Sequence, residues 1–248
     1  MNNFHNWVFL LDGDVQQFRE LSERSYGSYF NIFGGVSEQH DCRNEDFRMT
    51  TLYCENETDA ETVWQIGHEL VSLFNGASIL YNQNYYKASI YALNHNNHDI
   101  PYQAIGGNLG LMGKPEFSQE RIDEEFINAG RTSRKIQLIH LATENRDVYC
   151  ILKYFDMQQG WGTYYKLLEA IEYFAKEKQI TLNIDDAKRR AFTNTANNFS
   201  LSGFDSRHGF KDITRQNRTP AMKVNEGYDF ISSIAKRYLQ MTYFTSNT

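Results

Sequence analysis

The stretch Trp161-Gly162-Thr163-Tyr164-Tyr165-Lys166-Leu167-Leu168-Glu169-Ala170-Ile171-Glu172-Tyr173-Phe174-Ala175-Lys176-Glu177-Lys178 decides how the second half of the chain is built. Tyr164, Tyr165, Leu167, Leu168, Ile171, Phe174 and Ala175 recur at helical spacing, while Lys166, Glu169, Glu172, Lys176 and Glu177 fall mainly on the other side. The pattern predicts an amphipathic helix. Further on, Asp185 or Asp186 can cap a second helix through Ala187, Arg190, Ala191 and Asn194. That helix ends in a polar, turn-prone run, Asn197-Asn198-Phe199-Ser200-Leu201-Ser202-Gly203. After a basic connector, Asn225 is the expected cap of a last helix whose Tyr228, Ile231, Ile234, Ala235, Tyr238 and Leu239 form one apolar face. Three matching stripes imply a small bundle, joined by one element from the front of the chain.

The front half reads differently. Trp7-Val8-Phe9-Leu10-Leu11 and Phe47-Arg48-Met49-Thr50-Thr51-Leu52-Tyr53-Cys54 are rich in aromatic and β-branched residues between polar turn-formers, and predict strands. Thr58-Asp59-Ala60-Glu61 offers a helix start, and Ala60, Val63, Ile66, Leu70, Val71 and Phe74 continue it to an expected stop at Asn75-Gly76. Residues 77–80 and 88–93 then read as strands, and Asn94-His95-Asn96-Asn97-His98-Asp99 as a loop. The fold class expected is α+β, with a mixed strand and helix domain over residues 1–152 and a helical domain over 153–248.

Composition sets the outer limits. Of 248 residues, 41% are hydrophobic and 15% aromatic, ample for a core and far from the profile of a disordered chain. The formal charge of −6 argues against indiscriminate binding to polyanions, yet it is unevenly placed. Residues 1–150 hold 11 basic and 21 acidic side chains, whereas residues 187–223 hold 8 and 2. Such asymmetry serves an anionic partner or two complementary surfaces of the same molecule equally well. The first residues, Met1-Asn2-Asn3-Phe4-His5-Asn6-Trp7, lack the pattern of a signal peptide, and no window reaches the ~20 apolar residues of a membrane span, the best short runs, Trp7–Leu11 and Val148–Leu152, being strand-sized. Cytoplasmic residence without membrane attachment is expected. Cys42, Cys54 and Cys150 are odd in number and widely spaced, which points to reduced thiols.

Several motifs carry little chemistry. His95, His98 and Asp99 are of metal-ligand type, but no third or fourth ligand is positioned by spacing, so no metal is expected. Ile105-Gly106-Gly107-Asn108-Leu109-Gly110-Leu111-Met112-Gly113 contains no phosphate-binding Gly-x-x-x-x-Gly-Lys pattern, and no cofactor is expected.

The segment Phe192-Thr193-Asn194-Thr195-Ala196-Asn197-Asn198, Ser202-Gly203, Ser206-Arg207-His208-Gly209, Pro220-Ala221-Met222 and Glu226 is the informative one. With the preceding Tyr164-Tyr165-Lys166-Leu167-Leu168-Glu169 it resembles the C-terminal region of a family of uncharacterised bacterial cytoplasmic proteins, and Leu73-Phe74-Asn75-Gly76-Ala77 echoes a helix end of that family. The same region is similar to HEPN-like helical domains of bacterial defence and abortive-infection proteins, where a polar helix end leads into a loop ending in His-Gly. The resemblance implies an RNA-binding or RNA-cleaving effector in bacterial stress or phage defence. It also implies a homodimer through the helical domain. In catalytic members four to six residues separate an Arg from the His that follows it, and the pair cleaves RNA without metal.

Here those positions hold Leu201, Ser202 and Gly203, and the nearest cation is Arg207. Arg134 and His140 fit the spacing, but Lys135-Ile136-Gln137-Leu138-Ile139 reads as a buried strand or short apolar helix. His208 as base, Arg207 as phosphate cation and Asn198 as an orienting amide are the catalytic candidates. Lys188, Arg189, Arg190, Asn194 and Lys211 are the candidates for holding the strand. The alternative is a non-catalytic assembly subunit that binds a protein partner, encoded in the same operon. In that case Arg207 and His208 pin the connector to the bundle through Asp205 and helix carbonyls.

Overall fold

The computed structural model describes residues 7–24, 29–36, 42–96, 98–102, 118–210 and 220–244. The fold is α+β. It divides into two compact units, one of residues 1–78 and 84–149, the other of residues 79–83 and 150–248.

The first unit is built on a five-stranded antiparallel sheet of β1 (Trp7–Asp12), β2 (Asn31–Val36), β3 (Arg43–Thr50), β4 (Ser89–His95) and β5 (His98–Ile100), in the order β2-β3-β1-β4-β5. Alternation sets the face of β1, with Trp7, Phe9 and Leu11 buried; in β4 an irregularity in the pairing opposite Leu10 and Leu11 brings both Ile90 and Leu93, three residues apart, into the core. Helix α1 (Val15–Ser22) is capped by Asp14, whose side chain accepts from the amide of Gln17, and packs on β2. Helix α2 (Ala60–Tyr81) meets β1 at Gly67, where a Cβ would stand 2.3 Å from the Phe9 ring, so only glycine lets the helix lie this close.

The expected stop of that helix at Asn75-Gly76 and the strand over residues 77–80 are not found; the helix continues to Tyr81. The physical reason is tertiary. Asn75 is buried, its amide donates to the Ala88 carbonyl at 2.9 Å, and its carbonyl accepts from the Ala88 amide at 2.8 Å. Its turn-forming side chain is thus spent on the strand start opposite, not on ending its own helix. The strand expected through Cys54 ends at Thr50, and Leu52–Cys54 turn as a 3-10 helix capped by Thr51. The Asn94–Asp99 stretch, expected as a loop, is the β4–β5 hairpin: Asn96 takes a positive φ of 51° and His95 pairs with His98.

Residues 135–139 belong to α4 (Arg134–Glu144), which follows α3 (Gln119–Thr132). Ser133 punctuates the two, ending α3 in extended geometry and accepting from the Ile136 amide to start α4. The strand-sized run at residues 148–152 lies in α5 (Arg146–Asp156).

The second unit is helical: α6 (Trp161–Glu177), α7 (Asp186–Asn197), the one-turn α8 (Phe199–Ser202) and α9 (Val224–Leu239), with the last residues of α2 and most of α5. The stripe of α6 is buried as its spacing requires, and α6 packs on α7 and α9. Trp161 and Phe192 meet edge-on at 5.7 Å between ring centroids, and Phe192 and Phe230 at 4.9 Å. Each such side chain withdrawn from water contributes about 1.5–3 kcal/mol. The Tyr228 hydroxyl donates to the Ile79 carbonyl at 2.6 Å, fixing the end of α2 within this unit. Asp185 caps α7 as expected, but α9 begins one residue after Lys223, earlier than the expected cap at Asn225, with the Lys223 amide donating to Glu226.

Among the described residues no helix is long and apolar enough to cross a membrane. Cys42, Cys54 and Cys150 form no disulfide with one another.

Candidate nucleic-acid interface

The connector over residues 203–210 joins the end of α8 to the segment that returns to α9. Four contacts hold its course. The Arg207 amide donates to the Ala196 carbonyl at the end of α7 (2.8 Å). The Asp205 carboxylate accepts from the Trp161 amide at the start of α6 (2.7 Å). Ser202 Oγ donates to the Thr195 carbonyl, and Ser206 Oγ donates to the His208 carbonyl. The returning chain is tied to α7 as well: the Met222 amide donates to Thr195 Oγ1 at 2.9 Å, and Asn194 Nδ2 to the Pro220 carbonyl at 3.2 Å.

The catalytic candidates divide on this frame. The Arg207 guanidinium lies 3.1 Å from a Glu169 carboxylate oxygen and 4.2 Å above the centre of the Tyr165 ring, both on α6. A cation so paired and stacked is directed at the bundle, and its charge is locally balanced. His208 is exposed. Asn198 spends its amide on the Asn194 carbonyl (2.6 Å) and on Asn194 Oδ1 (2.8 Å), closing the end of α7. Arg207 is tied to α6 through Glu169, not through the expected Asp205, which instead accepts from the α6 start, and His208 is exposed.

The basic candidates divide too. Arg189 is a fork on Glu172, with Nε and Nη2 at 2.9 and 3.1 Å from the two oxygens, and this hydrogen-bonded carboxylate pushes the guanidinium pKa further up. Lys188 and Arg190 are exposed on α7. Lys211 lies outside the described residues. Within the second unit, 14 basic face 10 acidic side chains, a formal +4 in a chain of −6.

What residue-by-residue reading of the sequence passed over is aromatic. Phe199 meets Phe204 edge-on at 5.4 Å and Phe210 at 5.2 Å, yet Phe204 is 97% exposed and Phe210 71% exposed. The available signal was three phenylalanines in an otherwise polar run, with no periodicity to bury them. The acidic partners Glu169 and Glu172 were legible only as the outer face of a helix.

The other candidate motifs have structural employment. His95 stacks on Trp7 with 3.9 Å between ring centroids, and His98 Nδ1 lies 2.9 Å from the Asn96 carbonyl. Among the described residues no three or more His, Cys, Asp or Glu side chains converge as a metal-ligand set. The Ile105–Gly113 stretch lies outside the described residues. Arg134 is exposed and donates to Gln137, whereas His140 of the same helix is buried, 2% exposed, so the spacing match does not assemble a pair. Comparison with protein families, with curated proteins and with solved structures yields no match.

Proposed function

We propose that the helical unit captures single-stranded RNA on its 203–210 connector, as a non-cleaving effector module of the HEPN-like type in bacterial stress or phage defence. The observation that carries this reading is Phe204: a phenylalanine 97% exposed, edge-packed on Phe199 and on the same short connector as Arg207 and His208. Bases stack on such rings without regard to sequence, and the +4 charge of the unit favours the backbone. Capture is favoured over cleavage because the cation that a cleaving site needs is balanced by Glu169. The resemblance to HEPN-like domains supports the defence setting, a cytoplasmic location and pairing of two copies through the helical unit; sedimentation velocity tests the last.

Fluorescence anisotropy of a labelled 12-nucleotide single strand is the direct test. Phe204→Ala is expected to weaken binding about 5- to 100-fold, the range for loss of one stacked base. The strand is expected to stay intact on prolonged incubation with the wild-type protein. Wild-type protein that leaves the strand unbound in 50 mM salt overturns the reading. A protein partner then lost in Phe204→Ala assigns the patch to protein recognition.

A further inference from the structure

Phe204 also walls a cleft of about 500 Å³ in the second unit, which it shares with Gln158 and Gln159 of the turn before α6, Gly162, Thr163 and Lys166 of α6, and Asp205 and Ser206 of the connector. The lining is chemically mixed: one aromatic ring, two carboxamides, two hydroxyls, one ammonium and one carboxylate. Its size falls within the ordinary range of small-ligand sites.

We infer that this cleft receives one unstacked nucleotide of the RNA strand, its base on Phe204, its base edge on Gln158 and its phosphate on Lys166. The inference rests on the RNA-capture reading and gives it a site. Two observations choose the ligand class. Gln159 Nε2 is already donated to the Phe155 and Met157 carbonyls, so it forms a fixed wall, while the exposed Gln158 carries both a donor and an acceptor for a base edge. The charges choose the phosphate. The first backbone amide of α6 is taken by Asp205, which leaves a single ammonium, Lys166, and a nearby carboxylate. A lone ammonium suits one phosphate group and disfavours a di- or triphosphate.

Saturation-transfer NMR with the full chain tests this, using UMP, AMP, ATP and inorganic phosphate as probes beside anisotropy with the 12-nucleotide strand. Lys166 and Gln158 are both exposed, so Lys166→Glu and Gln158→Ala are expected to fold as the wild type does. The expected result is transfer to the base protons of UMP and AMP, weaker transfer to ATP, and at least fivefold weaker strand binding in Lys166→Glu. Inorganic phosphate is expected not to displace UMP. Strand binding that persists unchanged in both variants, with no signal from any mononucleotide, overturns the cleft assignment and leaves RNA capture standing. Mononucleotide binding lost in Lys166→Glu, with strand affinity unchanged, also overturns it, because the cleft then serves a free nucleotide. Displacement by inorganic phosphate reduces it to an anion site and overturns it equally. Failure of the wild type to bind the strand at all removes both readings.

Discussion

Asp205 caps a helix that begins 44 residues before it: its carboxylate accepts from the backbone amide of Trp161, 2.7 Å away, at the first turn of α6. Gly160, the residue before that turn, makes room for it, since a Cβ there would stand 2.3 Å from Asp205 Oδ1. A negatively charged acceptor at a helix start satisfies an orphan amide and faces the positive end of the dipole. Asp205→Ala is therefore expected to cost about 1–2 kcal/mol and to speed amide exchange at Trp161, with Asp205→Asn milder. Gly160→Ala should be harmful alone yet nearly silent in the Asp205→Ala background, because the clash needs the carboxylate. Additive costs in urea unfolding of the double variant would contradict the shared mechanism.

The pairing of Arg207 with Glu169 makes a second prediction, opposite in sign to ordinary loss-of-contact reasoning. Both side chains are substantially exposed, so the pair contributes little stability, within about 1 kcal/mol. Its larger effect is to neutralise a cation beside the proposed strand. Glu169→Gln is expected to raise single-strand affinity two- to threefold and to steepen the salt dependence by about 0.7 in log–log slope, the value for one added phosphate contact. Unchanged affinity and slope in anisotropy titrations between 50 and 200 mM salt would remove Arg207 from the interface.

Local pattern made the helices of the second unit legible, because the stripe of α6 and the aspartate before α7 act within one turn of themselves. Short apolar runs were ambiguous: residues 135–139 and 148–152 are short enough for a strand, and both lie in helices, the first of them capped by Ser133. At the site, the residue types of Arg207 and His208 were visible but their assignments were not. Arg207 is defined by Tyr165 and Glu169, some forty residues earlier, and no spacing rule connects them. Phe204 was passed over, because an exposed phenylalanine leaves no periodic trace in the sequence.

Asn75 shows what that limitation means energetically. Its carboxamide replaces a strand partner for Ala88, and both ends of that bond are buried. Asn75→Ala would leave the Ala88 amide and carbonyl without these bonds, at an expected cost of about 2–4 kcal/mol. Asn75→Asp sets a buried carboxylate oxygen against the Ala88 carbonyl, so at neutral pH it should cost at least as much. A cost below ~1 kcal/mol for Asn75→Ala in chemical denaturation would show that the bond is dispensable.

The acid response of the first unit should follow His140. Its ring lies under the edge of Tyr29, 4.5 Å between centroids, and against Phe126, 5.7 Å away. Burial pushes its pKa down to about 4, against the opposing pull of a hydrogen bond to the Ile122 backbone and of the Asp123 charge. In the unfolded chain the ring takes its proton near the ordinary 6.5, so below that pH the unfolded state binds more protons than the folded one and stability falls with falling pH. The folded form resists protonation until about pH 4, and the loss accumulates between these values, to about 2 kcal/mol by pH 5. His140→Phe removes the titrating group while keeping a ring in place, and is expected to flatten the urea midpoint between pH 6.5 and 5. An equally steep decline in that variant would assign the acid sensitivity to other groups.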